Sequence, residues 1–449
     1  MATALSQVPR RLRRKLPRSV GPFYGSAGAL DGAVAAWRAK DYAGSGALRD
    51  ISGLGAAHDL TNNGASFLPF TGEKYVYLPG LVNNQITCPA PVAPTDLDVR
   101  LTVEPDVWSG TTHNQTLASQ WNGGAAWWFR LTTAGQLAVL VSLDGSTVSR
   151  TISTTIPFAG SGKMDLRFTR QASTGTITIY ARAAGAGAWT VLQSAASVSG
   201  ALYSPAGDIV LGRQRGDSNQ NLTGKITAFE MLDGIDGSTL VSWSAEDMGQ
   251  TGGDSGGVTW TIDRATSGRK AVLVDRPLFL FGTDDYMETP NHADLGPGMS
   301  DEFTAVAVFR RFGTPSAAQR ILSMRSAVAG GWTISNTAVN AMEGYFQGVT
   351  SGADSASTSP STILEGTTNV ITAVKTASAI RARLNGADGT TDNALAAVGG
   401  YLSTNALMVG REPSGGIYAD MEFMGAAIFR RALSDAEIAS VGVALGAAA

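Results

Sequence analysis

The chain has 449 residues, of which 43% are hydrophobic and 16% charged, and its formal net charge is −3. That balance belongs to a folded globular protein long enough for two buried cores, and it gives no electrostatic reason to expect a nucleic-acid partner. No run of 18 apolar residues occurs, so no membrane span is expected, and the single cysteine, Cys88, excludes an intrachain disulfide and reads as a buried structural thiol.

Residues 1–29 stand apart. They carry Arg10, Arg11, Arg13, Arg14, Lys15 and Arg18, no acidic residue, and Pro9, Pro17 and Pro22 as breakers. No apolar segment with a small-residue cleavage site follows the basic cluster, so it is not expected to be a secretory signal. An arm of this composition does not fold alone, and the expectation is that it docks on another protein, with packing back on its own domain as the alternative.

From Leu30 onward strand follows strand. The runs at 98–103, 136–141 and 176–181 alternate apolar and polar residues, and Asp144-Gly145 between two runs marks a tight hairpin. The second half repeats the habit at 303–309, 369–374 and 380–384, the last run ending in Asn385-Gly386. Short strands at this spacing predict an all-β chain of antiparallel jelly-roll sandwiches. One helix is predicted at the end of the chain. Ser434 and Glu437 have the spacing of a capping box, and Ile438, Val441 and Leu445 follow on one helical face.

The landmarks occur twice. Trp37-Arg38-Ala39-Lys40-Asp41 returns as Trp243-Ser244-Ala245-Glu246-Asp247, Phe70 with Tyr75 and Pro79 returns as Phe281 with Tyr286 and Pro290, and Leu211-Gly212-Arg213 returns as Val409-Gly410-Arg411. The near-constant spacing predicts two copies of one fold about 200 residues long. With the Gly-rich stretch Gly249–Gly257 taken as the seam, though a hairpin loop of the second domain would read alike, the expected division is 1–29, an arm; 30–248, a first sandwich; and 249–449, a second. Trp37 and Trp243, being repeated, are expected in the cores.

These landmarks resemble the laminin-G-like, concanavalin-A-like jelly roll. In the second copy, Phe281-Gly282-Thr283-Asp284-Asp285-Tyr286, then Phe303-Thr304, then Gly416 to Phe423, and finally Ala432-Leu433-Ser434-Asp435-Ala436-Glu437-Ile438 resemble that family's motifs in order. The first copy is similar to a subgroup in virion proteins of phages of actinobacteria, through Asp96 to Leu101, Asp106-Val107-Trp108, Trp127 to Leu131, Gly224-Lys225-Ile226 and Asp233 to Gly237. The resemblance implies two tandem laminin-G-like sandwiches. It also implies a virion protein that folds in the host cytoplasm and binds glycan or protein, sometimes with calcium.

The residues themselves offer little catalytic chemistry. Asp420 and Glu422 alternate on one strand as glycosidase carboxylates do, but Tyr418 stands where a third acid would precede them, so they read as solvent-facing acids. His58, His113 and His292 form no triad and no zinc motif by spacing. No cofactor is expected. Calcium is the one ion the Asx-rich loops could hold, with Asp284 and Asp285 first, ahead of the turns at Asp388, Asp392 and Asn393 and at Asp233 and Asp236. Trp121, Trp127 and Trp128 crowd one hairpin. Adjacent tryptophans in a strand point to opposite faces, so one of Trp127 and Trp128 is expected to be covered by a neighbouring subunit or a glycan.

The functional expectation is a non-enzymatic virion protein of a phage tail or tail tip. Its partners would be other virion proteins through the arm, further copies of itself, and the host cell-envelope polysaccharide. The alternatives are a capsid-decorating protein, a dedicated carbohydrate-binding adhesin and, last, a glycan hydrolase.

Overall fold

The computed structural model describes residues 28–447 apart from short stretches at 53–55, 90, 92–93, 122–124, 157–161, 205–206, 215–218, 267, 299, 314–316, 326–329, 349–352, 359–362, 394, 396–404 and 415. The basic arm, with Arg10, Arg11, Arg13, Arg14, Lys15 and Arg18, lies outside the described residues.

The strands come in four blocks. A first short block gives β1 (Ala33–Arg38), β2 (Thr61–Asn63) and β3 (Ser66–Leu68). A long block gives β4 (Tyr75–Pro79), β5 (Gln85–Cys88), β6 (Leu97–Pro105), β7 (Gln115–Trp121), β8 (Ala125–Leu131), β9 (Gln136–Gly145), β10 (Ser149–Thr155), β11 (Met164–Gln171), β12 (Thr176–Ala183), β13 (Thr190–Ala196), β14 (Ile209–Leu211) and β15 (Thr223–Asp233). A second short block gives β16 (Ser238–Ser244), β17 (Gly252–Ser255), β18 (Val258–Asp263) and β19 (Val272–Val274). The second long block gives β20 (Leu278–Leu280), β21 (Tyr286–Thr289), β22 (Phe303–Arg310), β23 (Gln319–Ser323), β24 (Gly331–Asn336), β25 (Met342–Gln347), β26 (Ala353–Ser357), β27 (Asn369–Lys375), β28 (Ile380–Leu384), β29 (Ala387–Asp392), β30 (Leu407–Val409) and β31 (Glu422–Phe429), and helix α1 (Asp435–Leu445) closes the chain.

Among the described residues these strands form four antiparallel sheets, two to a sandwich. In one sandwich the sheet β13-β12-β11-β6-β15-β4-β19, with β16 beside β15, faces β10-β9-β8-β7-β14-β5-β18-β17. In the other, β29-β28-β27-β22-β31-β20-β3, with β1 beside β31, faces β2-β21-β30-β23-β24-β25-β26. Each pair of sheets encloses its own apolar core. The all-β, two-sandwich expectation with a short C-terminal helix matches this architecture.

Apart from β17, the two sandwiches correspond strand for strand. Long block β20–β31 repeats β4–β15, and β1, β2 and β3 take the places of β16, β18 and β19. In chain order each copy is a short head followed by a long body, yet the head 28–68 completes the body 278–445 and the head 238–274 completes the body 75–233. The heads are exchanged within one chain.

The expected division at 248/249 therefore needs correction. The stretch 249–257 is not a seam, because Gly249 bridges to Gly252 and β17 and β18 form a hairpin. Through Thr261↔Thr87 and Asp263↔Gln85, β18 then joins the first sandwich, which holds the chain until Val274. Residues 30–68 belong to the second sandwich, where Trp37 pairs with Ala426 and its indole donates 2.8 Å to the His58 carbonyl.

Both connectors are tied in the exchanged arrangement. The turn that would join β19 to β20 is Asp275-Arg276-Pro277, and a proline there removes a hydrogen-bond donor and fixes φ. The chain runs on instead. Arg276 donates 2.6 Å to the Gly446 carbonyl, and Asp275 accepts from Arg310 at 2.8 Å. The other connector, 69–74, starts at Pro69 and is tied to the exchanged head by Lys74, whose amide and Nζ donate to Glu246. The pairing also sorts by size, since Arg38 faces Gly425 where its counterpart Ser244 faces Ala228. A Cβ at Gly425 would sit 2.6 Å from the Trp37 carbonyl oxygen, so only glycine lets this head approach.

A third buried cluster joins the sandwiches. Tyr75, Tyr77, Val272 and Val274 of the first meet Leu278 and Leu280 of the second. The same cluster runs on beneath α1 to Ile438, Val441 and Leu445. Strand β22 is consequently buried on both faces: Phe303, Ala305, Ala307 and Phe309 line the core, whereas Val306 and Val308 lie in the cluster beneath the helix.

Helix α1 starts at the predicted capping box. Ser434 Oγ accepts from the Glu437 amide, the Glu437 carboxylate accepts from the Ser434 amide, and Gly446 ends the helix in the left-handed region. The Ser434 hydroxyl and amide, with the Arg431 guanidinium, hold the Glu437 carboxyl at about 2, below its ordinary 4.5. The folded value is the depressed one, so the cap contributes in full above about 4.5 and is lost as pH falls toward 2. Ser434→Ala is expected to cost roughly 1 kcal/mol in urea unfolding at neutral pH. A variant as stable as the parent would show that burial of the apolar face alone sets the helix.

Candidate functional site

The outer face of the first sandwich's sheet β12-β11-β6-β15 carries an open groove of about 450 Å³. Period-two alternation makes it. Along β6, Val99, Leu101 and Val103 enter the core, leaving Asp98, Arg100 and Thr102 outside; β11 and β12 add Asp165, Arg167, Tyr180 and Arg182 to the same outer face.

Trp189 borders this groove. It follows Gly185-Ala-Gly187-Ala in the β12–β13 loop and is half-buried. The Arg182 guanidinium lies 4.1 Å from the centre of the indole, and the Tyr180 ring meets it edge-on at 6.4 Å. Asp165 fixes Arg182, accepting from its Nε at 2.9 Å and also from Thr102 Oγ1 at 2.8 Å and the Gly185 amide at 3.2 Å. The loop bearing Trp189 is thus anchored by the carboxylate that orients the arginine stacked on it.

Beneath the groove lies an ionic cluster. Asp98, fully buried, accepts two bonds from Arg167 at 2.9 and 2.7 Å, two from Arg100 at 2.8 and 3.3 Å and one from the Asp236 amide at 3.1 Å. Arg100 also reaches Glu230 at 3.5 Å and Asp236 at 2.6 Å. The acids are held by guanidinium groups. The groove therefore presents a flat aromatic surface rimmed by polar groups held in place, which suits recognition of a sugar-like ligand by stacking and hydrogen bonding.

The sequence-expected residues fall elsewhere. Trp127 is fully buried against Phe168 in the core, with its indole 3.2 Å from Gln120 Oε1. Trp128 points to the opposite face, as expected, but its own chain covers it: Arg130 lies 4.4 Å above the ring, Trp121 meets it at 5.5 Å, and Thr116 accepts its N–H at 3.0 Å. No subunit or glycan is needed to cover Trp128, and Trp121 alone of the three keeps partial exposure. Cys88 is buried, and burial pushes its thiol up to about 12.

The acids also differ from expectation. Asp285 accepts two bonds from Arg269, at 2.9 and 3.0 Å, and another from the Gly282 amide at 2.7 Å, which commits its oxygens; only Asp284 beside it is exposed. Glu422 is not solvent-facing. It is buried 2.9 Å from Arg310, and burial raises its carboxyl against the pull of Arg310 and Arg264. Asp420 is paired with Lys270.

Sequence reasoning missed Trp189. The signal was present in the polar positions of β11 and β12 and in the Gly-Ala-Gly-Ala turn that presents a tryptophan.

Residues 281–439 match the family described as the concanavalin A-like lectin/glucanases superfamily. The matched stretch runs from just after β20 into the start of α1, within the body of the second sandwich, and does not include the exchanged head that completes it. Comparison with curated proteins gives no match. Among solved structures, the chain is similar to mouse laminin alpha1 chain domains LG4-5, at 13% identity over 82% of this chain and 92% of that one, with a TM-score of 0.29. It is also similar to the binding domain of Paraclostridial Mosquitocidal Protein 1, at 12% identity over 38% of this chain, TM-score 0.32, the match spanning only 43% of that chain. A third is the Ruminococcus gnavus IT-sialidase CBM40, at 16% identity over 32% of this chain and 84% of that one, TM-score 0.26.

Proposed function

We propose that this chain is a non-catalytic carbohydrate-binding protein and that the outer groove of its first sandwich receives the glycan. The carrying observation is Trp189: a half-buried indole backed by a fixed arginine on an open, polar-rimmed groove. Among the described residues, Asp98, Asp165 and Glu230 each sit against a guanidinium, which supports binding over hydrolysis. Purified chain should bind bacterial cell-envelope polysaccharide, and Trp189→Ala should weaken that binding at least ~10-fold, as expected for loss of an aromatic anchor. Trp127→Ala should act through stability instead. Unchanged affinity in Trp189→Ala would remove the groove from the reading.

The setting we propose is the tail of a phage particle, with the basic arm docked on another virion protein. The resemblance of residues 96–131 and 224–237 to actinobacterial phage virion proteins supports it. Antibody labelling of purified particles tests it, and particles without the chain would overturn it.

A further inference from the structure

Two of the three histidines, 234 positions apart in sequence, meet in the second sandwich. His58 ends a short 3₁₀ turn, Ala56–His58, in the exchanged head; His292 caps another, Ala293–Leu295, in the body. Their rings contact edge-on at 4.7 Å. One ligand atom from each of His58, His292 and Asp294 lies within 4.8 Å of the others.

His58 is the informative member, because it is 98% buried and its Nε2 has no hydrogen-bond partner among the described residues. Its Nδ1 lies 3.2 Å from Asp50 Oδ2, and the Asp50 side chain is fully buried. That carboxylate already accepts from the Ala36 and Ser52 amides and from Ser52 Oγ, each at 2.9 Å. An ionised carboxylate offers no proton, so in the contact with Asp50 His58 donates from Nδ1. In the neutral ring Nε2 then holds a lone pair in a buried place, which costs free energy unless a proton donor or a Lewis acid fills it. A carboxylate behind one ring nitrogen and an open lone pair on the other is the arrangement that orients metal-binding histidines.

The two partners complete a set. His292 Nδ1 faces Asp294 Oδ2 at 3.1 Å, close to the ~3.3 Å that separates two ligands of a tetrahedral ion with bonds near 2.0–2.1 Å. Both side chains are about 40% exposed, and His292 Nδ1 accepts the Asp294 amide at 3.4 Å, a long contact that an ion held against the fixed His58 would replace. Arg430 stands 3.9 Å from Asp294 Oδ1, on the carboxylate's other oxygen.

We propose that His58, His292 and Asp294 bind one divalent transition-metal ion of the zinc class, with water in the remaining position. Two imidazoles and a carboxylate select such an ion over Ca²⁺, which takes six or more oxygens. Because His58 lies on the head and the other two on the body, the ion clamps the exchanged segment to its acceptor. The first sandwich has no counterpart: its body supplies only His113 and its head no histidine at all.

The test uses the full chain without a histidine tag, stripped by chelator and titrated with Zn²⁺ in a calorimeter. One equivalent should bind, Co²⁺ should give the intense visible absorption of a four-coordinate site, and Ca²⁺ should not compete. His292→Ala and Asp294→Ala, both at exposed positions that leave the fold intact by circular dichroism, should each lower Zn²⁺ affinity at least tenfold, while His113→Ala leaves it unchanged. No Zn²⁺ uptake, uptake that survives His292→Ala, or displacement by Ca²⁺ would overturn the proposal.

Discussion

Expressed alone, residues 69–277 are expected to fold and to unfold in one cooperative transition, whereas residues 278–449 alone are expected not to fold until a peptide spanning 28–68 is added. The first fragment contains both sheets of the first sandwich, β4 to β19, without a break. The second lacks β1, and with it Trp37, a fully buried side chain whose truncation alone would cost about 3–5 kcal/mol. Loss of the Ala33–Arg38 ladder adds to that and leaves the edge of β31 unpaired. Against a typical domain stability of about 5–15 kcal/mol the sum is disabling. Circular dichroism and thermal melts of the fragments, with and without the peptide, decide the matter. If chains cut as 30–237 and 238–449 both fold as stable units, each head serves its own body and the exchange is not required.

Asp98→Ala is expected to be the most damaging single change beneath the groove. It strips a buried carboxylate that holds Arg167, itself only 7% exposed, through two short bonds. Removing one partner of a buried pair leaves an uncompensated charge and costs about 3–5 kcal/mol. Asp236, bonded to the same two arginines but 66% exposed, should cost no more than about 1 kcal/mol when replaced by Ala. The comparison by urea unfolding isolates burial, since both acids contact the same two guanidinium groups. Equal effects would mean that water reaches Arg167 and that the cluster is a surface network.

Much of the fold was legible because it is written locally. Alternation gave β6, β9, β12 and β27, and Asn385-Gly386 gave the turn before β29, with both residues at positive φ. Ser434 and Glu437 gave the start of α1, and the repeated Trp37 and Trp243 are indeed fully buried. The exchange was not legible for the same reason. Each head says that a tryptophan strand must cover the last strand of a body, and nothing in its own residues says which body. The selective features, Gly425 opposite Arg38 and the prolines in the connectors, act only once two candidate partners are compared. The site follows this rule as well. Trp127 and Trp128 drew notice by adjacency, yet intrachain neighbours bury both; Trp189, in a loop, acts through Arg167 of β11 and Tyr180 and Arg182 of β12. His58 and His292 share no local pattern at all.

The exchanged head sets up a race while the chain is being made. The body that matches the wrong end of the pair, 75–233, emerges first, and for the time needed to add the residues up to Phe429 the Trp37 strand has only that acceptor in reach. At ordinary synthesis rates of ~5–20 residues per second the interval is roughly 10–40 s, far longer than strand pairing takes. That acceptor carries Ala228 where the second body carries Gly425 opposite Arg38, so the Trp37 strand is expected to stay unpaired through the interval, and completion of β31 becomes the event that lets the second sandwich close.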